Sequence, residues 1–229
     1  MALHLEYLVN KDPLHEGLVA AGLLMYVMLV VYGTKLVYNM LRRRGAPHNA
    51  AVYYNRKLIH IFAGGVVALL VPKLFTGAAI PLAISALLAL FTYLPHRTGR
   101  LMYWFQVEEN MYEVNFCIMW GVALTTAWIL LGDPLYGVVP VVFMSFGDAV
   151  TGIVRNALFG RRTKHWIGNL AMLAVSLPAG VMLAGPVGGL AAVVASIVEK
   201  FESNPIDDNV LISLSSLAVL LIGGAAGML

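Results

Sequence analysis

Long apolar runs, separated by short stretches that contain charged residues, proline or glycine, extend over almost the whole chain. A helix of about 20 apolar residues is long enough to cross a bilayer, so each run near that length is a candidate membrane span. The chain contains eight such runs, of which the second and seventh are short: residues 17–40, 58–71, 74–94, 114–131, 135–158, 166–183, 187–198 and 210–228. The pattern therefore predicts an all-α fold, a polytopic membrane helix bundle with seven or eight transmembrane helices.

The composition supports this prediction and excludes several other classes of protein. Hydrophobic residues make up 60% of the chain and charged residues 12%, whereas soluble domains usually have about 45–50% and about 25%. The 22 glycines fit membrane helices, whose backbones pack closely at small residues. Cys117 is the single cysteine, which excludes an intrachain disulfide and a multi-cysteine metal site. The first apolar run is too long for the core of a signal peptide, so we expect no cleavable signal.

Lysine and arginine are distributed unequally between the two sets of loops that eight spans would create. Cytoplasmic loops carry an excess of positive charge, so the richer side is predicted to be cytoplasmic, with both termini outside. That side has Arg42, Arg43, Arg44, Arg56, Lys57, Arg97, Arg100, Arg155, Arg161, Arg162, Lys164 and Lys200, and the other has Lys11 and Lys73. The net charge of +3 thus reflects topology, and we expect no nucleic-acid partner. Residues 1–49 are interpreted as an N-terminal segment with the first transmembrane helix, and residues 50–229 as the domain that contains the other spans.

Three clusters of polar residues interrupt the apolar pattern, and all three fall on the predicted cytoplasmic side. The first opens the second span, where Arg56 and His60 share a helix face and Lys57 borders it. Two cations and an imidazole suit an anionic ligand. The alternative is a membrane anchor in which His60 is hydrogen-bonded between helices.

The second cluster is centred on Asp148. A carboxylate inside a membrane span costs roughly 2.5–3.5 kcal/mol on insertion scales, so it is usually paired, metal-bound or exposed to a wet cavity. Gly147 and Gly152 beside it permit close approach of a ligand or metal, or equally of another helix. The basic loop that follows, with Arg162 and Lys164, fits either phosphate binding or an orientation signal.

The third cluster precedes the last span and contains Glu199, Glu202, Asp207, Asp208 and Asn209. Paired carboxylates are hard oxygen ligands of the kind that Mg²⁺ prefers. Asp207 or Asp208 is equally suited to be the N-cap of the last helix. Together the three clusters predict a metal and nucleotide site at the membrane surface. The remaining acids, Glu108, Glu109 and Glu113, are expected on a solvated or ion-paired segment.

The motifs of several common enzyme classes do not occur in the chain. It has no GxxxxGK[ST] loop, no GxSxG elbow and no HExxH pair. Three other motifs occur in order over residues 50–229: Arg56-Lys57-x-x-His60, Gly147-Asp148-Ala149 followed by Gly160 and Lys164, and Pro205-x-Asp207-Asp208-Asn209. With these motifs the chain resembles the family of CTP-dependent polyprenol kinases, which includes dolichol, phytol and farnesol kinases and is related to phosphatidate cytidylyltransferases. The resemblance implies that residues 50–229 form the catalytic domain.

The resemblance implies transfer of the terminal phosphoryl group of CTP, with Mg²⁺, to the hydroxyl of an isoprenoid alcohol lipid such as a dolichol-like polyprenol, phytol or geranylgeraniol. It implies that Asp148, His60 and Lys164 are the catalytic residues, and that Asp148, Asp207 and Asp208 bind the metal. The implied nucleotide and phosphate contacts are Arg56, Lys57, Gly147, Gly152, Arg162, Lys164, Gly168 and Asn209.

One position departs from the family pattern. His165 stands where the family has a hydroxylic residue, and Ile167, two residues later, stands where the family has glutamate. We expect Glu199 or the Asp207 and Asp208 pair to supply the missing acid, or the substrate to differ. Two alternatives remain open: a cytidylyltransferase that makes a CDP-lipid from a lipid phosphate, and a small membrane transporter. The oligomeric state and the chain length of the lipid are not encoded in these patterns.

Overall fold

A computed structural model of the protein describes residues 3–160, 163–202 and 206–229. Over these residues the chain is all-α, without a strand, and seven helices are long and apolar enough to cross a membrane. They are α1 (Pro13–Arg43), α2 (His48–Leu74), α3 (Ala79–Thr98), α4 (Tyr112–Leu131), α5 (Pro134–Phe159), α6 (Trp166–Phe201) and α7 (Asp208–Ala225). The predicted fold class, a polytopic membrane helix bundle, is confirmed.

The sixth helix is folded back on itself at Ala184 and Gly185, which have non-helical backbone angles. Its two arms, residues 166–183 and 186–198, lie antiparallel, because Asn169 in the first arm donates a hydrogen bond to the carbonyl of Ser196 in the second, at 2.5 Å. A straight helix would separate these two residues by roughly 40 Å at 1.5 Å per residue. The sixth and seventh apolar runs of the sequence therefore form the two arms of one hairpin.

Gly185 makes this hairpin possible. Its φ of 56° and ψ of −147° lie in a region that only glycine occupies without strain. We expect Gly185→Ala to lower the free energy of unfolding by about 1–3 kcal/mol, measured by denaturant titration in detergent. Gly22→Ala is the matched control, because a methyl group at Gly22 meets nothing within 4 Å. Equal stability of the two variants would contradict this account of the turn.

The second helix is longer than its apolar run. It begins at His48, ten residues before the predicted start at residue 58, and spans 27 residues. It also contains a π-helical segment, His60–Gly65, and α5 contains another, Phe143–Gly147. The two segments pack together, since a methyl group at Gly64 would lie 3.2 Å from Oγ of Ser145. Such π-helical turns often occur at functional sites, because the extra residue rotates the side chains that follow.

The loops divide between two ends of the bundle. At the first, the backbone NH of His4 donates to the carbonyl of Ile129, at 2.9 Å, and that of Ala78 to Tyr7, at 2.8 Å. The C-terminal residues lie at the same end, where Gly224 packs beside Leu131. We call this the terminal end. The opposite, basic end carries the arginines after α1 and α3. This division matches the predicted loop alternation, and the cytoplasmic location of the basic end stays a prediction.

Candidate functional site

Three buried carboxylates from three helices meet inside the bundle near its basic end. Asp148 follows the π-helical segment of α5, Glu199 lies near the end of α6, and Asp208 is the first residue of α7. One oxygen from each carboxylate lies within 4.8 Å of the other two. We call these residues the acid triad. A set of three hard oxygen donors that converge from separate helices fits Mg²⁺.

Three cations pair with the acid triad. Nζ of Lys57 donates to Oδ2 of Asp148. Arg155 donates two hydrogen bonds to the carboxylate of Glu199, at 2.8 and 3.0 Å, and Nζ of Lys164 donates to the same group at 2.9 Å. Buried charges are tolerated when they are paired in this way. The cluster holds both the acids that a metal requires and the cations that phosphate oxygens require.

Glu199 lies close to the segment in which the sequence has Ile167 instead of an acid. Asn169, two residues beyond Ile167, donates to Oε2 of Glu199 at 3.2 Å, and Lys164 contacts the other oxygen of the same carboxylate. An acid that follows the second arm of the α6 hairpin thus lies beside Lys164 and Asn169, on either side of Ile167 in the sequence. This is one of the two substitutes that the sequence suggests for the missing glutamate.

A polar pocket lies next to the acid triad. Its lining includes Arg56, Lys57, His60, Asp208 and Asn209, together with two tyrosines, Tyr53 and Tyr112. The guanidinium of Arg56 donates to Oδ1 of Asn110 at 2.8 Å and lies over the ring of Tyr112, 5.4 Å from its centroid. Oδ1 of Asn209 is buried and accepts no hydrogen bond within the described part of the chain. The pocket therefore offers cations and an unused amide oxygen to a ligand.

His60 lies between this pocket and a second cavity. Its ring stacks on Phe116, with centroids 3.9 Å apart, and the residue is 4% exposed. Neither ring nitrogen has a hydrogen-bond partner among the described residues, and Nδ1 lies 3.9 Å from Oδ2 of Asp148, too far for a hydrogen bond. His60 lines both the polar pocket and an apolar groove between α1, α2, α3 and α4. A buried imidazole without partners calls for an explanation, and a ligand in either cavity supplies one.

Asp207 lies outside the acid triad and is the N-cap of α7. Its Oδ1 accepts from the backbone NH of Val210 at 3.0 Å, and its Oδ2 accepts from the amide of Asn209 at 3.1 Å. Burial and the neighbouring charge of Asp208 raise the pKa of Asp207 to about 6. The capping role that the sequence left open for Asp207 is therefore present.

The N-cap role leads to a specific expectation for Asp207. Asparagine caps a helix as well as aspartate does, whereas alanine costs about 1 kcal/mol. We therefore expect Asp207→Asn to keep wild-type stability and Asp207→Ala to lose about 1 kcal/mol in denaturant titration. Mg²⁺ affinity should be unchanged in Asp207→Asn. A large loss of Mg²⁺ affinity in this variant would instead assign Asp207 to the metal shell.

The three glycines that the sequence places at the nucleotide pack against other parts of the bundle. A methyl group at Gly152 would lie 2.9 Å from Cε of Lys57, and one at Gly168 would lie 2.7 Å from Cζ of Arg155. Gly147 faces the first arm of α6. These glycines make room for the cations that pair with the acid triad and for α6. For Gly147 and Gly152 this is the helix-packing alternative that the sequence left open.

The remaining candidates are placed as follows. Arg162 lies outside the described residues. Glu108 and Glu109 are exposed, as expected for a solvated segment. Glu113 is buried in the first turn of α4, where its Oε1 accepts from the ring of His96 at 2.6 Å. Sequence reasoning assigned Glu113 no part in the site, and no local signal distinguishes it from its exposed neighbours.

Comparison of the chain with protein-family models, with curated proteins and with solved structures finds no match. The geometry of the site and the motifs of the sequence therefore carry the functional argument.

Proposed function

We propose that this protein is a Mg²⁺-dependent membrane kinase that transfers the terminal phosphoryl group of CTP to the hydroxyl of an isoprenoid alcohol. The observation that carries the proposal is the position of His60, which lines both the polar pocket beside the acid triad and the apolar groove. A site with charges on one side and a long apolar cavity on the other suits a reaction between a water-soluble phosphate donor and a lipid. The motif resemblance supplies the choice of CTP and of an isoprenoid alcohol.

The residues of the acid triad would hold the metal ion, which supplies neutralisation of phosphate charge when it is bound. Asp148 and Asp208 serve this role as the motifs imply, and Glu199 replaces Asp207 as the third acid. Phosphoryl transfer needs clamped phosphates and an aligned nucleophile more than covalent help from the protein. The protein's own task is therefore to hold charges and to align the hydroxyl.

Arg56, Lys57 and Lys164 are the phosphate-binding groups in this proposal. Lys57 and Lys164 contact acids of the triad, so they lie where a metal-bound triphosphate would reach them. Arg155 has a different task, because both of its terminal nitrogens bind Glu199 and its Nε donates to the carbonyl of His165, at 2.9 Å. Arg155 positions Glu199 and is not offered to the substrate.

His60 and Asn209 complete the pocket. The unpartnered nitrogens of His60 are available to orient the lipid hydroxyl at the junction of the two cavities. Asn209 is available to the nucleotide through Oδ1, while its amide nitrogen donates to Asp207 and to the carbonyl of Tyr112. Both residues bind or orient, and neither is required to transfer a proton.

The test is incubation of the purified protein in detergent with Mg²⁺ and either γ-³²P-CTP or α-³²P-CTP. Geranylgeraniol, phytol, a polyprenol and phosphatidic acid are offered as acceptors. The proposal expects label from the γ position alone to enter an alcohol, with release of CDP. Label that enters phosphatidic acid from the α position, with release of pyrophosphate, would replace it with the cytidylyltransferase alternative. Absence of transfer to every acceptor would overturn it in favour of the transporter class.

A further inference from the structure

Residues of α1, α2, α3 and α4 line the apolar groove, which is partly open to its surroundings. Its empty space is about 950 Å³ when the open part is counted, and about 100 Å³ when only the space that a water-sized sphere can occupy is counted. Its walls include Val27 of α1, Ala63 of α2, Leu88 of α3 and Trp120 of α4. Such walls suit hydrocarbon and offer little to a charged ligand.

The groove is about as long as one leaflet of the membrane. On α3 its lining extends from Thr92 to Pro81, roughly 16 Å at 1.5 Å per residue, against about 15 Å for half of the hydrocarbon core. Its floor at the terminal end is formed by buried side chains, among them Ala20, Val71 and Phe75. The groove is therefore closed at the end away from the site.

A hydrogen-bonded network at the terminal end of the bundle supports this floor. The amide of Asn10 donates to Glu16 and to the carbonyl of Gly77, and the hydroxyl of Thr76 donates to Oε1 of Glu16, at 2.6 Å. These residues tie the N-terminal segment to the loop that follows α2. The floor is thus a fixed boundary made of packed and hydrogen-bonded parts.

Near the basic end of the bundle, two buried residues that line the groove have side-chain atoms without a hydrogen-bond partner among the described residues. Glu113 is 6% exposed, and its Oε1 is already used by His96 and by the amide of Gln106, at 2.8 Å. Its Oε2 accepts no hydrogen bond from any described residue, and neither do the two ring nitrogens of His60. Both residues line the groove. A buried acceptor without a partner, on a residue that lines an otherwise apolar cavity, calls for a ligand that donates a hydrogen bond to it.

We propose that the groove binds a single-chain lipid alcohol, with its hydroxyl donating to Oε2 of Glu113 and its chain extending to the floor at Ala20. The floor limits the length of the bound chain, so the proposal expects a twenty-carbon alcohol such as geranylgeraniol or phytol to bind and a long polyprenol not to bind. This inference rests on the proposed function for the identity of the alcohol as phosphoryl acceptor. Occupancy of the groove is measured without any transfer reaction.

The experiment is photo-crosslinking of wild-type protein, without nucleotide, to a geranylgeraniol analogue that carries a diazirine at the end of its chain. Mass spectrometry of the labelled peptides should place the crosslinks near Ala20, Val71 and Phe75. Unlabelled geranylgeraniol should compete, and phosphatidic acid with its two chains should not. Crosslinks confined to outward-facing residues such as Leu18 and Leu29, without competition, would overturn the proposal.

A pair of adjacent residues provides the matched control. Ala20 lines the floor, whereas Ala21 on the same helix is exposed. We expect Ala20→Phe to weaken binding of geranylgeraniol roughly 10-fold or more, the scale of a steric mismatch in an apolar pocket, while the shorter alcohol geraniol is still bound. Ala21→Phe should bind both alcohols as wild type does. The length limit would be contradicted if Ala20→Phe weakened binding of both alcohols equally and if the wild-type protein showed no crosslinks at the floor.

Glu113→Gln tests the hydroxyl contact. We expect it to weaken binding of geranylgeraniol and to leave binding of the parent hydrocarbon, which has no hydroxyl, unchanged. Equal effects on the two ligands would contradict the assignment of Oε2. Specific labelling of the floor without phosphoryl transfer from CTP would support lipid binding in the groove and contradict the proposed kinase function. Phosphoryl transfer to geranylgeraniol without labelling of the floor would support the kinase function and contradict binding of the chain in the groove.

Discussion

Replacement of Asp148 by asparagine is expected to lower phosphoryl transfer to geranylgeraniol roughly 1,000-fold, the upper range for loss of one preorganised electrostatic group. The substitution removes one oxygen ligand from the acid triad and leaves Lys57 without its carboxylate partner. Initial rates with γ-³²P-CTP measure the effect. Mn²⁺ binding, followed by electron paramagnetic resonance, reports the metal site independently of turnover and should also be lost.

Asp133→Asn is the matched control for Asp148→Asn. Asp133 is the N-cap of α5 at the terminal end, where it accepts from the backbone NH of Leu135 at 2.8 Å. Asparagine serves as well in that position, so both activity and Mn²⁺ binding should match wild type. If Asp148→Asn retained more than about a tenth of the wild-type rate, a loss of less than 1.4 kcal/mol in transition-state stabilisation, the metal role would be wrong.

A double variant separates the metal role of Asp148 from a purely structural one. If Asp148 serves only as the partner of Lys57, removal of both charges should restore much of the activity that either single change destroys. We expect no such recovery in Lys57→Met/Asp148→Asn, because the acid is required for the metal and the lysine for phosphate. Thermal unfolding should nevertheless show partial recovery of stability, since replacing a whole buried pair costs less than leaving one charge unpaired.

The membrane fold is readable from the sequence because the bilayer imposes one simple requirement, an apolar segment of sufficient length. The two short runs show where this rule is incomplete. Run 58–71 belongs to a helix that starts at His48, since the polar first turns of α2 lie at the basic end and need not be apolar. Run 187–198 is the return arm of a hairpin, and the Gly185-Pro186 step between the runs marks the turn.

The site is only partly readable, because polarity along a chain does not reveal which helices are neighbours. Asp148, Asp208 and Lys57 stand out as charged residues within or beside apolar runs, and the structure brings them together. Glu199 joins them only because the α6 hairpin returns to the basic end. In the sequence Glu113 resembles its acidic neighbours. In the structure the packing of α3 on α4 places His96 beside it.

The π-helical segments had no counterpart in the sequence analysis. An ideal α-helix from residue 56 puts Arg56 and His60 on one face, with Lys57 at its border. In the structure Arg56, Lys57 and His60 all line the polar pocket, and Lys57 also reaches Asp148. The π-helical segment of α2 begins at His60, which lines the pocket, and that of α5 ends at Gly147, directly before Asp148 of the acid triad. Apolar periodicity is insensitive to one added residue, and the pattern therefore did not predict these segments.

The second large effect is expected for Arg155, as a loss of stability. Arg155 is 4% exposed, and its side chain binds Glu199, Asn169 and the carbonyl of His165, so it joins α5 to both ends of the α6 hairpin. Removal of one member of a buried ion pair typically costs 3–5 kcal/mol. Lys164 still contacts Glu199 in the variant, so we expect Arg155→Met to lose about 3 kcal/mol in denaturant titration, at the lower limit of that range.

Lys200→Met is the matched control, because Lys200 is an exposed cation next to Glu199 in the chain. Its loss should change stability by less than about 0.5 kcal/mol, as for most surface substitutions. Arg155→Met/Glu199→Gln should be less destabilised than the sum of its single variants, since the double change leaves no unpaired carboxylate. Additive losses would mean that Arg155 stabilises the hairpin by packing alone. In that case Glu199 would be held in the acid triad by Lys164 and Asn169 without help from the guanidinium.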